Sequence, residues 1–376
     1  MLVEERNNKE TCYPFKKIYE KPSSTSKKFE ISQTSNSNKK KLDETDQLLD
    51  LDYANGIFKK ENPKFLENFE LLESIKAGSS GAVIKVKSKN IRAREKILAL
   101  KVLPNKREKS QQDLSKKFLE AFIHKKLHNN NIPEVYALYQ VGKNYSCMLL
   151  EYNKYGDLSN FKKKVIKREC LSESLICYIA GGILDALKYL NKKKILHLDI
   201  KPQNILVDDF LNIKVTDYSV SLFYGNEKEI NLPMAGTCYY MSPEVLKRKK
   251  IQSIDASKID IYSFGVLLYL LAFNDYPYEL DQVKNDDYSG IYNNIKEKNV
   301  EFPKDTGHSE MFKNFVKKCL EKDINKRYNI YQAMNDPWMK GYNMILDEKE
   351  NLYNAGKFMI EMLVDSIKPF NDYIKM

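Results

Sequence analysis

The sequence predicts an α+β fold of two lobes, in which a small antiparallel β-sheet with one main helix precedes a larger, mainly helical lobe. Three observations lead to this prediction: β-rich runs begin at Phe69, a helical pattern follows at residues 114–127, and apolar residues recur at helical spacing beyond Glu151. The 376 residues, 42% hydrophobic and 30% charged, suffice for one large two-lobed unit.

The small lobe is predicted from five short runs of strand-forming residues. Segments 69–75, 82–87 and 96–102 are separated by Gly, Ser, Asn or charged residues, as in strands joined by turns. Two further runs, 134–140 and 145–150, follow the helical pattern. We therefore expect an antiparallel sheet with one helix.

The larger lobe is predicted from a helical apolar face over residues 175–190. Two short strands, 205–207 and 213–216, interrupt the helices and are joined by a polar loop. Chemistry is often placed on loops that a rigid scaffold holds.

Both ends of the chain differ from its middle in composition and in the pattern of apolar residues. Residues 1–65 are polar and rich in Ser, Asn and Lys, which predicts a flexible, low-complexity extension. The folded domain is expected at 66–340, with lobes 66–150 and 151–340. The tail 341–376 is expected to be helical, packing on its own domain or binding a regulatory partner. Its apolar residues are Leu352, Phe358, Met359, Met362 and Leu363.

Charge and cysteine usage narrow the class of protein. The formal charge of +11 comes largely from runs at 162–164, 192–194 and 247–250, which are either solvated faces or docking sites for acidic or phosphorylated substrates. We find no nucleic-acid reader motif, no run long enough to span a membrane and no apolar signal segment. Six scattered cysteines argue against a disulfide framework or a zinc site. We expect an intracellular protein, cytoplasmic or nuclear or both.

A glycine-rich turn, a lysine and a glutamate follow one another in the small lobe. Gly78 and Gly81 lie in the turn between the first two strands, where a missing Cβ allows close approach of the backbone to a ligand. Lys101 lies in the third strand and Glu120 in the helix. A lone strand lysine is ordinarily a solvated charge.

The strongest motif is segment 195–207, which contains Asp199, Lys201 and Asn204, and Asp217 follows at the end of the next short strand. In this order the motifs resemble the protein kinase family, serine/threonine type, from about residue 69 to 339. The resemblance implies a protein-kinase-like fold and transfer of the γ-phosphate of ATP, with Mg²⁺, to hydroxyl groups of protein substrates.

The resemblance also implies roles for individual residues, among them an ion pair in which Glu120 anchors Lys101. Asp199 would accept or orient the proton of the substrate hydroxyl, and Lys201 would contact the transferring phosphate. Asn204 and Asp217 would hold magnesium, which prefers oxygen ligands; a structural turn aspartate is the alternative for Asp217. The expected nucleotide-binding residues are Ile75, Gly78, Gly81, Val83, Ala99, Lys101, Glu120, Glu151, Asn153, Asp157 and Leu206. Val83, Ala99 and Leu206 would equally suit an ordinary core.

Supporting residues match the same family. Thr237 is expected to bridge Asp199 and Lys201, which favours Ser and Thr acceptors. Glu244 and Arg327 are expected to form a buried ion pair, and Asp260 to hold the catalytic loop from the helix beneath it.

The sequence departs from the family at the residue before the catalytic aspartate. Leu198 replaces the usual arginine, and no threonine lies between Asp217 and Met234. A leucine cannot pair with a phosphate. We therefore expect activity that does not depend on phosphorylation of this loop.

Further departures lie around the phosphate site. Lys76 replaces the first glycine of the turn, and Tyr218-Ser219 replaces Phe-Gly after Asp217. His124 takes a position that is usually apolar, so we hypothesise a hydrogen bond between His124 and Tyr218. These changes also leave open a pseudokinase that acts as an ATP-binding or scaffold module.

Substrate preference follows from three positions that are acidic in kinases selecting basic peptides. Asp157 is retained, whereas Gln203 and Leu270 replace the other two. A preference for arginine is weakened, and acidic or pre-phosphorylated substrates are the alternative.

Overall fold

The computed structural model describes residues 51–78, 81–89, 96–104, 120–121, 123–142, 144–166, 170–278, 287–304, 307–343 and 345–347. They belong to one unit of the chain, Leu42–Met376. The predictions for residues 1–50, for the start of the small-lobe helix and for the apolar residues of the tail beyond 347 lie outside the described residues.

The small lobe is built on a five-stranded antiparallel sheet. Two helices precede the sheet, α1 (Leu51–Glu61) and α2 (Pro63–Asn68). The strands are β1 (Phe69–Gly78), β2 (Gly81–Ser88), β3 (Ile97–Pro104), β4 (Val135–Val141) and β5 (Tyr145–Glu151), in the order β1-β2-β3-β5-β4. Residues 120, 121 and 123–125 are helical and lie between β3 and β4 in the chain. The predicted sheet is confirmed.

The two leading helices correct the predicted extension. Ala54, Phe58 and Phe65 are buried on the apolar face of the sheet, and the Phe65 ring lies 4.8 Å from Phe58 and 5.3 Å from Tyr139 between centroids. A flexible extension up to residue 65 is therefore wrong for residues 51–65. The physical reason is that covering the apolar face of the sheet removes it from water, which stabilises the fold. A few well-spaced aromatic residues are enough to cover this face.

The larger lobe is mainly helical, as predicted. Its helices are α3 (Leu158–Asn160), α4 (Glu173–Lys192), α5 (Pro243–Leu246), α6 (Ser257–Phe273), α7 (Tyr288–Glu297), α8 (Glu310–Cys319) and α9 (Ile330–Met334). Its short strands are β6 (Ile195–Leu196), β7 (Ile205–Val207), β8 (Ile213–Val215), β9 (Leu222–Phe223), β10 (Glu229–Asn231) and β11 (Lys250–Gln252). The pairs are β6 with β9, β7 with β8, and β10 with β11, all antiparallel.

Helices α4 and α6 lie in the core of the larger lobe. Segment Ser253–Phe273 is long and apolar enough to cross a membrane, but 89% of its most apolar stretch is buried within the protein. The burial makes it a core helix, as the sequence predicted.

The start of the C-terminal tail packs on its own domain. Residues 340–343 and 345–347 are helical, and Ile345 is fully buried. A Cβ added to Gly181 of α4 would lie 2.2 Å from the Tyr342 ring, so glycine is what allows this ring to lie against the helix. Packing in cis therefore holds for the described part of the tail.

Candidate active site

A cavity of about 710 Å³ lies between residues of both lobes, a size typical of small-molecule sites. Most of the predicted site residues line it: Ile75, Gly81, Val83, Ala99, Lys101, Glu151, Asn153, Asp157, Lys201, Asn204, Leu206, Asp217 and Thr237. Glu120 and Asp199 lie behind this wall, each in contact with a lining residue. Ala99 of β3 and Leu206 of β7 are among the apolar lining residues.

The lysine of β3 lies between two carboxylates. The Lys101 Nζ is 2.6 Å from Glu120 Oε1 and 3.3 Å from Asp217 Oδ1. Burial alone would lower the pKa of Lys101, but the two carboxylates outweigh it and raise the pKa to about 12. Burial would raise the pKa of Asp217, yet the Lys101 ammonium holds it well below its usual range. Both groups are therefore charged at any physiological pH.

Asp217 is followed by a buried tyrosine that corrects one hypothesis. The Tyr218 hydroxyl donates to Val215 O at 3.0 Å, and His124 Nε2 bonds to Pro133 O at 2.9 Å. The two rings pack with centroids 4.8 Å apart, but their polar atoms bond to different backbone carbonyls. The predicted hydrogen bond between His124 and Tyr218 is wrong, because His124 Nε2 and the Tyr218 hydroxyl each bond to a backbone carbonyl in the core.

The loop after β6 is held from below by α6. Asp260 accepts the backbone N–H groups of His197 and Leu198 at 2.8 and 2.9 Å, as predicted. His197 Nδ1 accepts the Asp199 N–H at 3.2 Å, so its Nε2 carries the proton and donates to Thr216 O at 3.0 Å. Leu198 is buried and has a φ of 67°. This network sets the backbone that carries Asp199.

The Asp199 carboxylate is held by three side chains. Asn204 Nδ2 donates to Asp199 Oδ2 at 2.8 Å, and the Thr237 hydroxyl donates to Oδ1 at 2.7 Å. The Lys201 Nζ lies 2.7 Å from Oδ2 and donates to Thr237 Oγ1 at 2.6 Å. The predicted bridge by Thr237 is therefore present, and the carboxylate has one orientation.

The residues present fit a magnesium ion that is shared with phosphates. Asn204 uses its amide N–H toward Asp199, which leaves its carbonyl oxygen for a cation, and the ionised Asp217 supplies a carboxylate. Among the described residues no group of three or more His, Cys, Asp or Glu side chains forms a metal site alone. Mg²⁺ commonly takes one or two protein oxygens and completes its shell with phosphate and water.

The segment that links the lobes is held by a lysine that the sequence analysis missed. Lys214 of β8 is buried and its Nζ lies 2.9 Å from the Glu151 carboxylate, which also accepts the Glu134 N–H at 3.1 Å. Asn153 Nδ2 donates to Glu151 O at 3.2 Å. In the sequence, Lys214 was marked only by being a charged residue within the apolar run of β8.

Two other predicted site residues, Asp157 and Gly81, also stabilise the local backbone. Asp157 caps α3 and accepts both the backbone N–H and the side-chain amide of Asn160, at 3.0 and 2.8 Å. Gly81 has a φ of 108°, and a Cβ there would lie 2.4 Å from Val102 O. Glycine at 81 is therefore required by the neighbouring strand β3. Gly78 ends β1 and pairs with Gly81.

A two-lobed domain with an anchored lysine on one wall and an aspartate, lysine and asparagine on the other has the architecture of a phosphotransferase. Among known families, residues 69–339 match the protein kinase domain. The chain belongs to the protein kinase domain family.

Similar proteins include three kinases. A cell cycle serine/threonine-protein kinase of Saccharomyces cerevisiae is 29% identical, over 65% of this chain and 33% of its own. A probable myosin light chain kinase of Dictyostelium discoideum is 31% identical, over 65% and 47%. Serine/threonine-protein kinase tousled-like 1 of Homo sapiens is 29% identical, over 62% and 32%. The chain thus spans a third to a half of these relatives.

Proposed function

We propose that the chain transfers the γ-phosphoryl group of ATP to serine or threonine hydroxyls of protein substrates. The observation that carries the proposal is the meeting, in one cavity, of the Lys101–Glu120–Asp217 cluster with the Asp199–Lys201–Asn204–Thr237 cluster. One cluster suits the triphosphate and the other suits the acceptor hydroxyl.

The first cluster binds and orients the nucleotide. The Lys101 ammonium, positioned by Glu120, offers its N–H groups to the α- and β-phosphates. Asp217 and the Asn204 amide oxygen would hold Mg²⁺, which when bound neutralises charge on the phosphate oxygens. The ion pair between the buried Lys214 and Glu151 stabilises the segment against which the base would lie.

The second cluster acts on the acceptor. Asp199 takes the hydroxyl proton as the oxygen–phosphorus bond forms and the bond to the ADP oxygen breaks. Thr237 and Asn204 orient the carboxylate, and the Lys201 ammonium, 2.7 Å from it, balances negative charge on the transferring group. Lys201 and Thr237 are the residues that favour Ser and Thr over Tyr acceptors.

We also propose that activity does not require phosphorylation of the loop after Asp217. Leu198 is buried and offers no cation to a phosphate. The loop is instead held by the β6–β9 and β10–β11 pairs. Its hydroxyl groups are engaged: Ser221 Oγ donates to His197 O at 3.2 Å, and Tyr224 donates to Asn191 Oδ1 at 3.2 Å. The intracellular location stays a prediction.

The alternative is a pseudokinase that binds ATP without turnover, which the Tyr218-Ser219 sequence and Lys76 favour. The discriminating experiment measures both nucleotide binding and phosphate transfer to a generic protein acceptor, for the wild type and Asp199→Asn. We expect the variant to retain nucleotide binding and to lose transfer by a hundredfold or more. Binding in both proteins with no transfer in either would establish the pseudokinase.

A further inference from the structure

The basic run 247–250, which follows α5, is exposed, and Lys247, Arg248 and Lys250 have different surroundings. The Lys247 Nζ lies 4.0 Å from the centroid of the Tyr292 ring, and Lys250 forms an ion pair with Glu229. Arg248 instead places its Nη2 3.9 Å from the Met234 Sδ. Among the described residues no carboxylate lies within ion-pair distance of the Arg248 guanidinium. Arg248 is thus an exposed cation held against a half-buried thioether.

Met234 lies close to the proposed base. A Cβ built on Gly236 would be 3.6 Å from Asp199 Oδ1, and Met234 is two residues before Gly236. Two residues of extended chain span about 7 Å. With the length of the Met234 side chain and its 3.9 Å contact with Arg248 added, the guanidinium lies at most about 20 Å from the base. An extended substrate covers this distance in at most about six residues.

The neighbouring cavity wall offers little to a basic substrate. Both Asp157 oxygens already accept hydrogen bonds from Asn160. Gln203 lines the cavity and is neutral, as are Tyr240 and Tyr276 beside it. The described residues on this wall therefore present no unengaged carboxylate to an arginine or lysine of the peptide.

We propose that Arg248 selects protein substrates with an anionic side chain within about six residues of the phosphorylated serine or threonine. A guanidinium binds carboxylates and phosphates in two-point contacts. Such a contact at an exposed site discriminates by about two- to fivefold, and phosphoserine gains more than aspartate because it carries more charge and three acceptor oxygens. The inference rests on the proposed kinase activity.

The test uses peptides with one acceptor serine and a neutral sequence, into which Asp, phosphoserine or Lys is placed at each of about six positions on either side. The measured quantity is kcat/KM for each charged peptide relative to the neutral one, with the full chain. Wild type, Arg248→Gln and Arg248→Glu are compared with Lys247→Gln, a matched loss of charge one residue away. Gln keeps a non-glycine side chain at residue 248, whose φ is 49°, so the backbone cost is unchanged.

We expect an anion preference at one position within about six residues of the acceptor. The preference falls to about one in Arg248→Gln, turns toward Lys in Arg248→Glu, and is kept in Lys247→Gln. The aspartate and phosphoserine arms show which anion is preferred. The inference is overturned if the wild type shows no anion preference, or if Lys247→Gln loses it equally. Phosphorylation of the neutral peptide separates these results from a failure of the kinase proposal, in which no peptide is phosphorylated.

Discussion

Lys101 of β3 and Glu120 of the small-lobe helix form a buried ion pair with 2.6 Å between Nζ and Oε1, and Asp217 approaches the same ammonium at 3.3 Å. The pair joins the sheet to the helix, and Asp217 joins both to the larger lobe. One lysine thus connects three segments of chain at the proposed phosphate site.

The first prediction concerns this pair. Lys101→Met removes the cation for the phosphates and should lower kcat/KM for ATP by about a hundredfold or more, while Glu120→Gln should lower it by about tenfold because the lysine keeps a weaker partner. Steady-state kinetics with varied ATP give both values. The control is Lys313→Met, which breaks an exposed pair with Glu310 on α8. Equal kinetics for Lys101→Met and Lys313→Met would remove Lys101 from the nucleotide site.

The second prediction concerns Tyr218 and His124, whose rings touch but whose polar atoms bond to different carbonyls. Tyr218→Phe leaves Val215 O without this donor and should reduce the free energy of unfolding by about 1–2 kcal/mol. In a double-mutant cycle with His124→Gln, urea unfolding should give a coupling energy below about 0.5 kcal/mol. A coupling energy above about 1 kcal/mol would instead show a direct hydrogen bond between the two side chains.

The third prediction concerns pH. Burial lowers the pKa of His124 to about 4, in a core that also contains Lys101, Asp217 and His197. Below pH 6.5 the unfolded chain binds a proton at this residue and the folded chain does not, so stability falls as pH falls toward 4. Between pH 7 and 5 this amounts to about 2 kcal/mol.

The measurement is urea unfolding of the wild type and His124→Gln at pH 7 and pH 5. Because glutamine does not titrate, the variant should lose about 2 kcal/mol less than the wild type over this interval. Identical losses in the two proteins would show that His124 is not buried in its neutral form.

The fourth prediction concerns the Arg327–Glu244 pair, which the sequence predicted and the structure contains. The guanidinium lies 2.9 and 3.1 Å from the Glu244 oxygens, and Arg327 is 1% exposed. Arg327→Met leaves a buried carboxylate unpaired and should cost about 3–5 kcal/mol of unfolding free energy. The double variant with Glu244→Gln should lose less than the sum of the single losses. Additive losses would mean that the two groups do not interact.

The sequence predicted the site best where the site residues lie close together within one sequence motif. Asp199, Lys201 and Asn204 lie in one short segment, and Thr237 meets them as expected. The partners of His124 and Tyr218 were missed because they are the carbonyl oxygens of Pro133 and Val215, whose positions depend on the folded backbone.

The packing of the first described helices was also missed. Phe58 and Phe65 stand in a polar segment, and only the apolar sheet face that they cover explains their burial. Lys214 was missed for a related reason, since its partner Glu151 is distant in sequence and the residues between them carry no pairing signal.

The central claim is tested most directly by following phosphate onto an acceptor. The full chain is treated with phosphatase, and the phosphatase is then removed. The chain is incubated with ATP, Mg²⁺ and an acceptor protein that contains serine and threonine, and the Asp217→Asn variant is treated in the same way. Mass spectrometry should find phosphoserine or phosphothreonine formed by the wild type without a lag, and at least a hundredfold less formed by the variant. Equal phosphate incorporation by the two proteins, or none by the wild type, would contradict the account.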